Sequence, residues 1–202
     1  MLELRKKYKS GSAAEIISEA ILSGDISGEI AQNEFADSLG VSRIPVREAL
    51  IALEYHGLIE KFPNQHVRIA ELDDNAVKAV FSDMALLELE TVKTLPSENL
   101  KSLSLMTNQM DFHRELYNNA GSPLRKVFLR VIAETYLVFV LEHSDGSRIT
   151  PVFEWLRLSM NDLSMLKSAY IVYAEVLSSE LISIKRSNRH AEPEAYKDNA
   201  GA

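Results

Sequence analysis

Two arginines, Arg43 and Arg47, lie four residues apart directly after Ser42. At that spacing two side chains share one face of an α-helix, and serine is a residue type that caps a helix N-terminus. A guanidinium group at a helix start can fork onto the O6 and N7 atoms of guanine or clamp a phosphate. The free backbone N–H groups of such a helix end also favour phosphate. The pattern therefore indicates contact with nucleic acid, and its alternative is an ordinary solvated helix face.

Local signals place these arginines at the start of the third of three short helices. A capping-box pattern at Ser12–Glu15 opens a first helix whose apolar residues recur at helical spacing. A second helix is predicted over 32–39, and Gly40 suits the left-handed position that follows its end. The third helix is predicted over Ser42–Leu53, where Pro45 is tolerated because it falls in the first turn.

A β-hairpin is predicted directly after these helices. Two β-like runs, 58–62 and 67–69, flank residues 63–66, which include proline and asparagine. Helix, helix, tight turn, helix and hairpin is the order of a winged helix-turn-helix, whose third helix lies in the major groove of DNA. We therefore expect a mainly α chain with a winged helix-turn-helix domain over residues 1–72.

The remainder of the chain has the pattern of helices separated by proline, glycine and aspartate. An aspartate in the pair after Leu72 is expected to cap the first of them. We expect an all-α antiparallel helical bundle over 73–188, followed by a polar tail over 189–202. The predicted helical spans are 74–94, 97–119, 123–143, 150–165 and 167–187.

The overall charge gives this interpretation little help. The formal net charge is −7, and residues 1–72 contain 8 Lys and Arg against 11 Asp and Glu, which is −3. A domain that binds DNA through a diffuse basic face would be positive. The cations are grouped, however, in an N-terminal cluster of Arg5, Lys6, Lys7 and Lys9 and at the start of the third helix. DNA binding therefore depends on local placement.

Several classes of protein do not fit this composition. The chain has no cysteine, which excludes disulfides, iron–sulfur clusters and a cysteine nucleophile. No apolar run approaches the roughly 18 residues of a membrane span, and we expect a cytoplasmic protein without a secretory signal. Asp111 beside His113, and Glu142 beside His143, are potential acid–base pairs. Neither pair comes with a nucleophile elbow or a phosphate-binding glycine loop, so an enzyme is not expected.

The segment FADSLGVSRIPVREALIALEYHGLIEKFPNQHVRIAEL closely resembles the DNA-binding domain of the GntR family of bacterial regulators. The resemblance implies that Arg43 and Arg47 contact DNA and that Ser42 caps the helix or contacts phosphate. It also implies a wing tip formed by Asn64, Gln65 and His66. For His66, an ordinary exposed loop position is an equal alternative.

Two residues depart from the family pattern in this domain. Ile44 stands where the family often has threonine, and Asn33 stands where an arginine of the second helix is usual. Both changes remove expected DNA contacts, so we expect an altered affinity or sequence preference with the fold intact.

The second half resembles, more weakly, the FCD effector domain of the FadR-like subfamily. The resemblance is carried by Leu87-Glu88 and by the segment Phe112–Ser122, FHRELYNNAGS. In many such domains an aspartate, the matching histidine and two later histidines bind a divalent metal. Here Gln109 replaces the aspartate, and no histidine occurs between residues 144 and 189. We therefore expect no metal and no other cofactor.

An effector pocket in the helical bundle is a further expectation, because bundle interiors are common ligand sites. For His113 the alternative is a hydrogen-bonded polar residue of the core. Met84 replaces a family arginine that helps to hold carboxylate ligands. The candidate pocket residues are Met84, Gln109, His113, Tyr136 and Trp155.

One recognition helix covers only a few base pairs, so useful specificity calls for two copies on a two-fold symmetric site. The expected partners are therefore a palindromic double-stranded DNA operator and a second copy of the chain, and no membrane. We expect a repressor whose operator affinity is modulated by a small-molecule effector. The alternative is an effector-independent regulator whose helical domain serves only dimerisation or protein contacts.

Overall fold

The computed structural model of the 202-residue chain describes Leu4 and residues 11–63 and 66–190. They form two compact units. The first comprises the described residues up to Glu54, then Leu58–Ala70 and the described residues from Ser183 onward. The second comprises Tyr55–Gly57 and Glu71–Ile182.

One helix of the first unit has its start set by local hydrogen bonds. In α1, Ala13–Leu22, the Ser12 hydroxyl accepts from the backbone N–H of Glu15, and the Glu15 carboxylate accepts from the backbone N–H of Ser12. This reciprocal capping box is the predicted one. It satisfies two of the backbone donors that a helix N-terminus leaves without partners.

Two further helices follow α1 in this unit. They are α2, Gln32–Leu39, and α3, Arg43–Tyr55, of which Tyr55 is already counted in the second unit. Both bury one apolar face, because their apolar residues recur three and four positions apart. The buried residues of these two helices are Phe35, Ala36, Leu39, Val46, Ala49, Leu50 and Leu53.

A three-stranded antiparallel sheet lies in the same unit. The strands are β1 (Glu29–Ala31), β2 (Ile59–Lys61) and β3 (His66–Ile69), in the spatial order β1–β3–β2. The hairpin of β2 and β3 was predicted, whereas β1 was not. Three residues are too few to show the alternation that identifies a strand. The sheet and the three helices together make the winged helix-turn-helix that the sequence predicts.

The second unit is helical. Its elements are α4 (Asp74–Val92), α5 (Ser97–Leu105), α6 (Gln109–Asn118), α7 (Pro123–Val131), a π-helical turn (Ile132–Leu137), α8 (Val138–His143), α9 (Ile149–Leu158) and α10 (Leu163–His190). The residues of α10 from Ser183 onward are counted in the first unit. The predicted fold class, a mainly helical chain with a C-terminal helical domain, is thus confirmed. Among the described helices, none is both long enough and apolar enough to cross a membrane.

The helix boundaries of the second unit differ from the prediction in several places. The expected span 97–119 is broken because the Asn108 side chain accepts from the backbone N–H of Asp111 and starts a new helix. The span 150–165 ends earlier, since Asp162 accepts from the N–H groups of Ser164 and Met165. The last helix continues to His190, two residues into the predicted tail; residues 191–202 lie outside the described ones.

Candidate nucleic-acid interface

The turn between α2 and α3 positions the arginine pair. Gly40 adopts a left-handed conformation with a φ of 64°, which places a non-glycine Cβ close to the carbonyl oxygen. The N–H of Val41 donates to the carbonyl of Ala36 at 3.1 Å and closes the helix end. The chain then turns within two residues, and α3 begins at Arg43.

The first turn of α3 is open to solvent. Ser42, Arg43, Ile44 and Pro45 are all exposed, and Val46 is the first buried residue of the helix. Arg47, one turn after Arg43, is exposed as well. The structure thus brings the two predicted arginines and Ile44 to the same exposed helix start.

Some of the described cationic side chains of the first unit are ion-paired with a carboxylate, and others are not. Lys61 of β2 lies 2.7 Å from a carboxylate oxygen of Glu54. Arg68 of β3 lies 3.6 Å from Glu60. For the two arginines of α3, in contrast, no ion pair with a described residue is found. A guanidinium without an intramolecular carboxylate can bind a phosphate or guanine without first breaking an ion pair.

The wing carries cations that the sequence reasoning did not single out. Arg68 is exposed between the buried Val67 and Ile69, and its guanidinium lies 4.8 Å from the centroid of the Phe62 ring. The alternation of apolar and charged residues over 67–69 was the signal that could have identified it. His66 is half-buried at the start of β3. Asn64 and Gln65, the other predicted wing contacts, lie outside the described residues.

Asn33 lies in the first turn of α2 and is exposed. The predicted N-terminal cluster of Arg5, Lys6, Lys7 and Lys9 lies outside the described residues. The assignment of DNA contacts to individual residues of this unit therefore stays a prediction.

A buried polar cluster occupies the second unit. His113 Nδ1 is 2.6 Å from Oε1 of Glu88, and His113 Nε2 is 3.1 Å from the phenolic oxygen of Tyr173. That phenol donates to Oε1 of Gln109 at 2.9 Å. The rings of His113 and Tyr173 stack with an interplanar angle of 10°. Four side chains from α4, α6 and α10, two of which the sequence singled out, thus form one hydrogen-bonded chain.

Two buried oxygens beside this chain have no hydrogen-bond partner among the described residues. They are Oε2 of Glu88 and the phenolic oxygen of Tyr170. Burial raises the pKa of the Tyr170 phenol well above its usual value, and the nearby Glu88 carboxylate raises this pKa further. Burial also raises the pKa of Tyr173, with the Glu88 charge as the second cause.

The other predicted pocket residues lie apart from this chain of hydrogen bonds. Met84 is fully buried, and Trp155 is half-buried. Tyr136 donates to the backbone carbonyl of His56 at 3.3 Å, within the second unit. Burial raises the pKa of Tyr136 to about 12.

The metal site that the FCD resemblance implies does not fit these residues. Both ring nitrogens of His113 are held by protein groups. Among the described residues, no three His, Cys, Asp or Glu side chains are grouped so that they could hold a metal ion. A transition-metal site in a protein uses at least three such ligands.

A cavity of about 470 Å³ opens elsewhere in the second unit, between the end of α4, the start of α5 and the start of α10. Its walls are mainly aliphatic, with one lysine and two small polar side chains. It does not include the predicted pocket residues. The lining residues are Val92, Lys93, Leu95, Ser97, Leu100, Met160, Asn161, Leu163 and Leu166.

Known proteins resemble the chain in two ways. An HTH-type transcriptional regulator in the unstable DNA locus of Streptomyces ambofaciens is 38% identical over 69 residues, which is 34% of this chain and 29% of the relative. The match therefore spans under a third of that relative's length.

Two solved structures share the fold over most of the chain. The Escherichia coli protein McbR/YncC has 16% identity and a TM-score of 0.51, covering 93% of this chain and 99% of its own. Lar, which controls expression of the agr system of Listeria monocytogenes, has 17% identity and a TM-score of 0.52, covering 89% and 96%.

The N-terminal unit has a more specific match. The model of the gntR family of bacterial regulatory proteins matches residues 9–69, which include all three helices and the hairpin. The description of this family is of bacterial regulatory proteins. Residues 9–69 thus match the model of the gntR family of bacterial regulatory proteins, and the described residues of this segment have the fold of a winged helix-turn-helix domain.

Proposed function

We propose that the protein is a sequence-specific DNA-binding regulator of transcription. The observation that carries this proposal is the exposed pair Arg43 and Arg47, in the first two turns of α3 of a gntR-family domain. In a winged helix-turn-helix the first residues of this helix meet base edges and phosphates in the major groove. The bidentate guanidinium group suits both guanine and phosphate.

The charge distribution supports contact through a few residues instead of a broad basic surface. Lys61 and Arg68 are neutralised by Glu54 and Glu60 of the same unit, whereas the α3 arginines have no such partner among the described residues. Each phosphate that a cation neutralises releases counterions, so binding weakens as salt concentration rises. The operator complex should therefore be strongly salt-dependent.

The proposed target is a palindromic duplex bound by a homodimer. One copy of α3 reaches only a few base pairs, and two copies on a two-fold symmetric site supply the specificity that a genome requires. The helical domain is the proposed dimerisation element. We place the boundary between the DNA-binding domain and this helical domain between residues 72 and 73. Exposed aliphatic residues of this unit, among them Leu86 and Leu124, support that assignment because large apolar side chains gain most from burial at an interface.

The proposal includes repression, because a protein bound over a promoter excludes the polymerase unless it also makes activating contacts. It also includes an FCD-type helical domain in which a small-molecule effector shifts operator affinity. The alternative is an effector-independent regulator. One observation favours that alternative: His113 is fully buried and both of its ring nitrogens are already hydrogen-bonded, so an effector there must displace protein groups.

The test of DNA binding starts from duplexes selected from a random pool by the full chain. We expect Arg47→Ala to weaken binding to the selected duplex by about tenfold or more, the effect of losing a base-contacting arginine. The matched control is Arg148→Ala, which removes an arginine of the helical domain that is ion-paired with Glu180 and should leave the dissociation constant unchanged. Equal binding by Arg47→Ala and the unmodified chain would overturn the assignment of α3.

The effector is tested by a thermal-shift screen of small organic acids against the same protein. A compound that binds the folded state raises the melting temperature, and a true effector must also change the dissociation constant of the operator complex. A stabilising compound that leaves operator affinity unchanged, or no stabilising compound at all, selects the effector-independent alternative.

A further inference from the structure

The first unit exposes its large aliphatic side chains in one place. Among its described residues, the exposed leucine and isoleucine side chains are Ile44, which is 70% exposed, and Ile51, which is 50% exposed. Both belong to α3. A single exposed isoleucine is common on protein surfaces, but Ile44 lies beside Arg43 in the first turn of the helix that should enter the groove.

The direction of Ile44 follows from helix geometry. An α-helix turns by about 100° per residue, so Ile44 is rotated about 200° from Val46, the first buried residue of α3. Leu50 and Leu53 share the buried side with Val46. Ile44 therefore projects almost directly away from the core of its own domain, and Arg47 projects from the side of the helix between these two directions.

The chemistry of an isoleucine at this position is selective. In the major groove each base pair presents hydrogen-bond donors and acceptors, and the apolar group on these edges is the C5 methyl of thymine. A side chain without donors or acceptors that packs on a polar base edge removes water from it without replacing the hydrogen bonds, which is unfavourable. Packing against a methyl group instead removes apolar surface of both partners from water, which is favourable.

We propose that Ile44 is a specificity-determining residue that reads the C5 methyl group of a thymine in each half of the operator. This inference rests on the proposed function and deepens it, because it specifies a base that the site must contain. The guanidinium groups of Arg43 and Arg47 contact guanine or phosphate from the neighbouring face of α3, and the aliphatic side chain of Ile44 excludes the other bases from one position.

The test uses the duplex selected by the full chain and replaces its thymidines one at a time by deoxyuridine. This replacement removes the methyl group and keeps the base pairing. We expect one position in each half-site where deoxyuridine raises the dissociation constant about fourfold, the effect of one buried methyl-sized group. The Ile44→Ala variant should bind the thymidine and deoxyuridine duplexes equally well.

Ile51→Ala is the matched control, since it shortens the same residue type on the same helix two turns further on. It should keep the discrimination between thymidine and deoxyuridine. The inference is overturned if deoxyuridine has no effect at any position in a duplex that the chain binds specifically. It is also overturned if Ile44→Ala keeps the discrimination or Ile51→Ala loses it. If no specific duplex can be selected, the proposed function itself fails, which distinguishes the two results.

Discussion

The Nδ1 atom of His113 lies 2.6 Å from Oε1 of Glu88, and neither side chain is more than 1% exposed. The residues belong to α6 and α4, so the contact joins two helices of the second unit. A buried carboxylate is tolerated only when it is paired or hydrogen-bonded. The pair therefore joins the two helices through a buried polar contact, whose loss should be visible in the stability of the protein.

Replacing Glu88 by alanine should destabilise the fold strongly. Removing one member of a buried pair leaves the other without its partner, which typically costs about 3–5 kcal/mol. Urea denaturation measures the loss. Glu90→Ala is the matched control, because Glu90 of the same helix pairs with Lys93 at the surface, and its removal should leave the midpoint unchanged. Equal midpoints for the two variants would contradict this account of the pair.

Two buried tyrosines of α10 should differ in how much stability the protein loses when their hydroxyl groups are removed. The Tyr173 phenol joins His113 to Gln109, so Tyr173→Phe leaves a buried polar group without a partner and should cost about 1–3 kcal/mol. The Tyr170 phenol has no partner among the described residues. It lies close enough to the Glu88 carboxylate for that group to raise its pKa, so Tyr170→Phe removes one weak polar interaction and should cost less than Tyr173→Phe. The comparison requires only urea denaturation of both variants, and a larger loss for Tyr170→Phe would refute it.

A side chain at Gly40, in the turn before α3, should destabilise the protein through the backbone conformation. Nothing lies within 4 Å of a Cβ built there, so the cost of Gly40→Ala comes from its φ of 64° alone. A left-handed non-glycine residue costs about 1–2 kcal/mol. Gly121 is the matched control, because its surroundings are equally open and its φ lies outside the left-handed region. Gly121→Ala should therefore leave the stability of the protein unchanged. Thermal denaturation of the two variants gives the result, and similar melting temperatures would show that the turn is not strained.

Acidification should destabilise the protein through His56. Burial lowers the pKa of this histidine below its ordinary value of 6.5, and the positive charge of Arg130 lowers it further. The unfolded chain therefore takes up the proton first as the pH falls, so the free energy of unfolding decreases below about pH 6.5 and levels off below the folded-state pKa. Urea denaturation at pH 7.5 and 5.5 should show a smaller decrease for His56→Asn than for the unmodified chain. An equal decrease in both would exclude His56 as the cause.

Several elements could be predicted because their signals are local. The capping box at Ser12, the left-handed Gly40 and the N-cap Asp73 each act on residues within one helical turn. The strand β1 could not be predicted, since its three residues are held by pairing with β3, such as Glu29 with Arg68. Pairing across nearly forty residues leaves no periodic pattern in so short a segment.

In the candidate interface, too, local features could be predicted from the sequence and long-range contacts could not. The sequence by itself determined the start of α3, its exposed arginines and its apolar stripe, because spacing along a helix sets which side chains share a face. Only the tertiary structure decided which of the described cations are paired with a carboxylate. Lys61 is paired with Glu54 seven residues away, and no helical or strand period brings those two together.

In the helical domain, the hydrogen-bond partners of the predicted residues were decided by the tertiary structure. The sequence singled out Gln109 and His113, which are one helical turn apart. Their partners Glu88 and Tyr173 lie 25 and 60 residues from His113, on helices whose packing no local pattern specifies. A hydrogen bond requires its two atoms within about 3 Å, and only the packing of α4, α6 and α10 against one another provides that proximity.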